Sequence, residues 1–402
     1  MTRSIAAFAF VLLVVQAGAI PFFQRVAEHS LRGLDVNFTQ LVTSFGYPVE
    51  EHKVTTSDGY ILGVFRIPHG LTAKGAAAAG KPVVWLQHGL LDQSGTYVNN
   101  LPDESLGFML ADEGYDVWFG NSRGNVYSTA HTTLSTDSKE FWEFSFDEMA
   151  SLDLPACVDY VKAQTGAAKI GYVGHSQGTA IAFAGFSSIP SLADSIAVYA
   201  ALAPVATVSH QSSLVLKAMV DIDLDKFLSA VGVNEFLPST DLFESLFPWV
   251  CKELPIGCDA VIFSLCGSDY GNVNQSRIPV YVSRTPAGTS VQNMVHWCQE
   301  VRSAKFCKYD YGKDGNQQHY GQDTPPNYDL SSFSVPTALF TGGKDDLADP
   351  SDVEELISML PDSSVVYTHN EAGYDHLDFV WGLDANTKIY APILTLLQQY
   401  LQ

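Results

Sequence analysis

The chain has 402 residues, 46% of them hydrophobic and 12% aromatic, which is ample for a large buried core and too apolar for a disordered chain. Its 44 acidic residues outnumber 22 basic ones, for a formal charge of −22. A field of that sign repels phosphates, so it excludes nucleic acid as a partner and disfavours charge-driven docking on anionic membranes.

The N-terminus reads as a secretory signal peptide over residues 1–19: Arg3, then an apolar stretch from Ile5 to Val15, then an A-x-A cleavage site at Ala17-Gly18-Ala19. That stretch is too short to span a bilayer, and no later segment supplies about 18 uninterrupted apolar residues. A soluble mature chain from about Ile20, without a transmembrane segment, is expected. On that route the triplets Asn37-Phe38-Thr39 and Asn274-Gln275-Ser276 make Asn37 and Asn274 expected glycan sites.

Residues 50–56, Ser57-Asp58-Gly59 and residues 60–67 read as strand, turn and strand, an antiparallel hairpin. The Ala/Gly tract 74–80 reads as a loose loop. Residues 81–87 form a short buried strand ending at His88-Gly89, and residues 116–119 another ending at Gly120-Asn121. From Phe146 to about Gln164 apolar residues recur at helical spacing. Residues 169–173 are a strand running into Gly174, residues 177–186 a helix of small residues, and residues 196–203 a strand stopped by Pro204. Later come a strand at 335–340, a helix at 350–360 with Pro350 in its first turn, a strand at 365–368 and a closing helix at 385–401. This alternation predicts an α/β fold, a mainly parallel sheet covered by helices on both faces, led by the antiparallel hairpin.

Between about Thr207 and Ser331 the alternation stops. The segment holds amphipathic stretches such as 213–233, most of the cysteines and several Pro/Gly breaks. It is expected to be an insertion over the strand ends, where such sheets bind ligands. The chain is thus divided into a core, 20–206 with 332–402, and a cap and lid, 207–331. Of the six cysteines, spacing favours two local bridges, Cys251–Cys258 and Cys298–Cys307, with Cys157 and Cys266 as buried thiols. No C-x-x-C pair exists, so no zinc site is expected.

The sharpest local signal is Gly174-His175-Ser176-Gln177-Gly178. G-x-S-x-G is a short pattern, but here a strand precedes it and a helix follows, the setting of a nucleophile elbow. Two glycines let strand and helix approach closely, and Ser176 sits at the positive end of the helix dipole. Such a serine needs an acid and then a histidine later in the chain. Asp345 follows Gly342-Gly343 after the strand at 335–340, with Asp346 as its close rival, while Asp349 is better placed as a helix N-cap before Pro350. His376 follows the last strand and His369 ends it too early. His88 and His175 precede the acid and are expected to orient backbone. The oxyanion donors are expected to be the amides of Gln177 and of Leu90, with Leu91 as the nearest competitor.

With these residues placed, the sequence is similar to the acid lipase family of gastric lipases and lysosomal acid lipase, which has the α/β hydrolase fold. The resemblance runs through Asp58-Gly59-Tyr60, Arg66-Ile67-Pro68-His69-Gly70, Leu86-Gln87-His88-Gly89-Leu90-Leu91 and Gly120-Asn121-Ser122-Arg123-Gly124. It continues through Gly174-His175-Ser176-Gln177-Gly178, Ser283 to His296-Trp297, Gly342-Gly343-Lys344-Asp345, Leu347-Ala348-Asp349-Pro350 and His376-Leu377-Asp378-Phe379. It implies Ser176, Asp345 and His376 as triad, the amides of Leu90 and Gln177 as oxyanion hole, and a cap disulfide beside a thiol, which fits Cys251–Cys258 with Cys266. Cys298 and Cys307 fall outside that pattern, as does the pairing of Lys344 with a second acid, Asp346.

The activity implied is acyl transfer to Ser176 and hydrolysis of neutral-lipid esters, triacylglycerol or cholesteryl ester, at a lipid–water interface, in acid and without metal or cofactor. Phe243, Leu246, Phe247, Trp249, Val250, Val261, Ile262, Phe263 and Leu265 are expected to give an apolar lid surface or the cap's own core. A carboxylesterase for soluble esters and a catalytically silent lipid carrier are the alternatives. The expected setting is a monomer in the lysosome lumen or outside the cell.

Overall fold

A computed structural model describes residues 36–213, 217, 220, 234–236 and 271–401. The expected signal peptide, the apolar residues 243–265, the Cys251–Cys258 pair and Cys266 lie outside the described residues.

The leading hairpin forms as its turn chemistry requires. Strands β1 (Glu50–Thr55) and β2 (Tyr60–Ile67) pair antiparallel, from Glu50 opposite Arg66 to Thr55 opposite Ile61. Gly59 takes φ 104° in the turn, which side-chain-bearing residues rarely adopt. Strands β3 (Val83–Gln87), β4 (Asp116–Phe119), β6 (Ile170–His175) and β7 (Ile196–Leu202) follow, with β10 (Thr337–Gly342) and β11 (Val365–Glu371) after the insertion. All five residues of β3 and all four of β4 are buried, as expected of strands covered on both faces. The sheet order is β1-β2-β4-β3-β6-β7-β10-β11, with the two-residue β5 (Ala130–His131) added to β2. From β4 to β11 the pairings are parallel, so successive loops emerge on one edge.

Among the described residues, the helices of seven or more residues are α1 (Phe38–Ser44), α2 (Leu106–Asp112), α3 (Leu154–Thr165), α4 (Gln177–Ser188), α5 (Val291–Ser303), α6 (Gly312–Tyr320), α7 (Pro350–Met359) and α8 (Ala391–Tyr400), of which α5 and α6 belong to the stretch between β7 and β10. The helical stretch expected over 146–164 is interrupted. A short α turn at Phe146–Glu148 widens into a π turn, Met149–Asp153, before α3. Pro155 in the first turn of α3 has no N–H to donate backwards, and the wider turn absorbs the missing bond. The same pairing recurs at Asn386–Tyr390, a π turn before Pro392 of α8.

The sequon residues have different settings. Asn37 is exposed and N-caps α1, its Oδ1 accepting from Gln40 N at 2.9 Å. Asn274 is half-buried, and its Nδ2, the atom a glycan would take, donates to Glu104 Oε2 at 3.2 Å.

Between β7 and β10 the chain leaves the sheet. Its described part contains α5, α6 and a small ribbon of β8 (Glu235–Phe236) with β9 (Thr289–Ser290). The expected Cys298–Cys307 bridge is not formed, and both are buried thiols. Helix phase explains this. Cys307 N–H donates to Glu300 Oε1 and Cys307 O accepts from His296 Nε2, so Cys307 faces the side of α5 that carries residues 296 and 300. Cys298 is two residues from each, about 200° round the helix, and points the other way.

The hairpin is locked to the core by Arg123. Its guanidinium is 1% exposed, binds Asp153 Oδ1 through Nε at 2.9 Å and Nη2 at 2.7 Å, binds Asp58 Oδ2 through Nη1 at 2.6 Å, and lies 4.0 Å over the Tyr60 ring. The strings around Asp58-Gly59-Tyr60 and Asn121-Ser122-Arg123 are therefore two halves of one contact. Removing the cation strands two carboxylates, one of them wholly buried. Arg123→Ala is expected to lower stability by about 3–5 kcal/mol, read as the shift of the urea unfolding midpoint. A loss below about 1 kcal/mol would show that the ion pairs are immaterial.

Candidate active site

Ser176 stands between β6 and α4 with φ 54° and ψ −123°. The flanking glycines make room for that turn. A Cβ on Gly174 would lie 2.7 Å from Gly178 O, and one on Gly178 would lie 2.5 Å from Gln87 O and 2.8 Å from His88 O. Strand β3 thus runs against the first turn of α4 with no side chain between. Ser176 N donates to Leu202 O at 3.1 Å, and Ser176 O accepts from Thr179 N at 2.7 Å. The serine is held by β7 on one side and by its own helix on the other.

The structure brings Ser176, His376 and Asp345 together. His376 Nε2 lies 2.6 Å from Ser176 Oγ, and His376 Nδ1 lies 2.9 Å and 3.0 Å from the two Asp345 oxygens. A carboxylate can only accept here, so Nδ1 carries the ring proton and Nε2 faces the serine hydroxyl. Asp345 Oδ1 also accepts from Leu347 N at 2.9 Å and Ala348 N at 2.8 Å, which fixes the carboxylate. Asp345 and His376 are each 2% exposed.

The rivals have other work. Asp346 turns away to accept from Ser212 Oγ, at 2.5 Å. Asp349 N-caps α7 through Ser351 N at 2.8 Å. His369, on β11, pairs with Glu371 at 3.0 Å. Leu91 takes φ 58°, and its carbonyl accepts from Ala287 N at 2.7 Å. The turn before it presses on Ser176, since a Cβ on Gly89 would lie 3.0 Å from Ser176 Cβ. Gln177 opens α4, where an N–H has no acceptor within the helix.

His88 and His175 orient backbone, as their position before the acid suggests. His88 Nε2 accepts from Ser122 N at 3.0 Å, so its Nδ1–H donates to Gly89 O at 2.7 Å. His175 Nε2–H donates to His376 O at 2.8 Å and steadies the loop that carries His376. Burial pushes His88 down to about 4 and His175 down to about 3. Asp92 is wholly buried, and desolvation pushes its carboxyl up to about 6, against hydrogen bonds from Gln93 N and Thr285 Oγ1.

One set of contacts escaped the sequence reading. The Gln177 side chain is buried and accepts from Asn293 Nδ2 at 2.9 Å and Trp297 Nε1 at 2.7 Å, both on α5. Trp297 lies inside a string that carries the family resemblance, but nothing in the string says what the indole touches.

A parallel sheet with a serine elbow after one of its middle strands, and with acid and histidine on later strand ends, defines an α/β hydrolase. The comparisons agree. The model described as alpha/beta hydrolase fold matches residues 82–383, and the one described as partial alpha/beta-hydrolase lipase region matches residues 38–101. Human gastric triacylglycerol lipase is 47% identical over 368 residues, 90% of this chain and 91% of that protein. Human lysosomal acid lipase/cholesteryl ester hydrolase is 46% identical over 374 residues, 91% and 92% of the two chains. A soluble variant of monoglyceride lipase from Saccharomyces cerevisiae shares the fold, with TM-score 0.54 at 14% identity over 92% of this chain and 97% of that one. The chain belongs to the α/β hydrolase family of gastric and lysosomal acid lipases, a family of ester hydrolases.

The buried acid beside the site has a signed consequence. The folded Asp92 carboxyl, at about 6, lies above its ordinary value of 3.8. It therefore contributes stability that is present in acid and lost as pH rises from about 4 through 6. The two histidines act in the opposite sense, losing stability as pH falls below 6.5 toward 4 and 3. Asp92→Asn removes only the first effect. The stability of D92N relative to wild type is expected to rise by about 1.4 kcal/mol per pH unit across pH 4–6, measured by urea unfolding. A difference independent of pH would mean that Asp92 is ionised throughout.

Proposed function

We propose that this chain is a serine lipase that cleaves carboxylic esters of neutral lipids, triacylglycerol or cholesteryl ester, in acid. The observation that carries the reading is the hydrogen-bonded line from Ser176 Oγ through His376 to Asp345, buried at its far end. The names of the relatives support the substrate class.

Ser176 Oγ attacks the ester carbonyl carbon while its proton passes to His376 Nε2. The Asp345 carboxylate holds the ring through Nδ1–H and stabilises the imidazolium that forms. The carbonyl oxygen becomes an oxyanion that accepts from the amides of Leu90 and Gln177. Collapse breaks the C–O bond to the alcohol, which leaves with the proton from His376. Water then gives a proton to His376, attacks the acyl-enzyme and releases the fatty acid with Ser176 restored. His175 stays neutral in mild acid, so this neighbour of His376, 5.0 Å away between ring centroids, does not oppose the imidazolium.

In this reading residues 207–331 are a cap whose lid covers an acyl pocket, with Cys251–Cys258 as its disulfide. Residues 1–19 direct the chain into the secretory pathway, toward the lysosome lumen or the exterior, and Asn37 and Asn274 carry glycans. Among the described residues no helix is long and apolar enough to cross a membrane.

A fluorophosphonate is expected to label wild type at Ser176 and to leave Ser176→Ala unlabelled. Labelling that survives the substitution would overturn the assignment. Asp345→Asn is expected to cut kcat by roughly 10³–10⁴-fold. Emulsified long-chain triacylglycerol and cholesteryl ester should be hydrolysed as well as a soluble short ester. Turnover of the short ester alone would make the protein a carboxylesterase.

A further inference from the structure

A buried connection joins the nucleophile turn to the insertion. Gln177 follows Ser176 directly, and its side chain is 2% exposed. Its Oε1 accepts from two donors, Asn293 Nδ2 at 2.9 Å and Trp297 Nε1 at 2.7 Å, while its Nε2 lies 3.5 Å from Met149 Sδ. Asn293 and Trp297 are four apart on α5, so both donors project from one face of that helix. Both are buried, and the indole packs against Phe146 at 4.9 Å between ring centroids.

The helix is itself fixed. Ser290 Oγ accepts from Asn293 N at 2.9 Å, Asn293 Nδ2 also donates to Thr289 Oγ1 at 3.1 Å, and Val291 N donates to Asn234 O at 2.7 Å beside the β8–β9 ribbon. The anchorage of Gln177 therefore reaches the chain at residue 234.

The Gln177 N–H must point at the reacting oxygen, so no helical hydrogen bond can hold it. The preceding residue is in a disfavoured backbone region that persists only when its surroundings impose it. An acceptor gripped by two buried donors supplies that imposition from the helix side. We propose that α5 of the insertion positions the Gln177 amide for the oxyanion, with Asn293 and Trp297 as positioning residues. The inference rests on the acyl-transfer reading of Ser176.

Trp297→Phe keeps a six-membered aromatic ring and removes the donor with the pyrrole ring that carries it. Gln177→Met keeps length and burial and removes the acceptor. Deleting an oxyanion donor outright typically costs 10²–10³-fold in kcat, and here the donor is displaced rather than lost. On 4-nitrophenyl butyrate, kcat per fluorophosphonate-titrated site is expected to fall about 10-fold in W297F and about 30–100-fold in Q177M, with KM within about twofold. An alkyl boronic acid, which takes a tetrahedral form on the serine, should lose affinity by the same factor as kcat/KM. The W297F/Q177M double variant should be no slower than Q177M, because Trp297 acts through Gln177. Titrating active sites restricts each rate to folded enzyme, and Asn293→Ala, expected to behave like W297F, covers a W297F that does not fold. The positioning role is overturned if W297F or N293A keeps kcat and boronate affinity within twofold, or if the double variant multiplies the single losses. If wild type itself neither labels at Ser176 nor turns over the ester, the acyl-transfer reading fails instead.

Discussion

A serine held at φ 54° between a strand and a helix is the constraint on which the rest of this molecule depends. Such a conformation costs of order 1–3 kcal/mol for a residue with a side chain. It persists because its neighbours leave it no alternative. The carbonyls of Gln87 and His88 close against Gly178, the carbonyl of Gly178 closes against Gly174, and Leu202 takes the serine's own N–H. Three adjacent strands, β3, β6 and β7, are thus committed to one turn. Their parallel run then dictates where the remaining parts can be. The loops after β3, β6, β10 and β11 leave the same edge of the sheet, so residues 88–90, 176, 345 and 376 converge although they are far apart in the chain.

The surroundings of the site are kept electrically quiet. Desolvation holds His88 and His175 neutral well into the acid range and holds Asp92 protonated up to about 6. In mild acid each therefore serves as an uncharged hydrogen-bonding group. His175 can donate to the His376 carbonyl without adding a positive charge beside an imidazole that becomes positive in the proposed acylation. An ionised histidine there would oppose the proposed acylation.

What could be read in the sequence was what local chemistry decides. The hairpin came from Asp58-Gly59, β4 matched its expected bounds, and the elbow was visible because a strand, two glycines and a helix meet there. What depends on direction rather than position was not visible. Asp345 and Asp346 are adjacent, and only the path of the chain after β10 sends one toward His376 and the other toward Ser212. Cys298 and Cys307 are close in sequence, yet helix phase separates them. The π turns before Pro155 and Pro392 have no signature except the prolines. The partners of Gln177 are 116 and 120 residues away, in a segment whose own pattern suggested only an insertion.

The described part of that segment also restrains the site. Beside each of Ser176, Asp345 and His376, a close neighbour in sequence is bound by the insertion. Gln177, after Ser176, is gripped by Asn293 and Trp297. Asp346, after Asp345, accepts from Ser212 Oγ through its carboxylate and from Ser212 N and Ser213 N through its carbonyl. Asp378, two residues after His376, accepts from Asn272 Nδ2 at 3.0 Å through one oxygen and from Asp375 N at 2.7 Å through the other, closing the turn that presents the imidazole. Reacting groups must be held to within fractions of an ångström to work together, and a sheet edge alone leaves its loops free on the solvent side. Here the insertion supplies the second set of restraints, from the opposite direction.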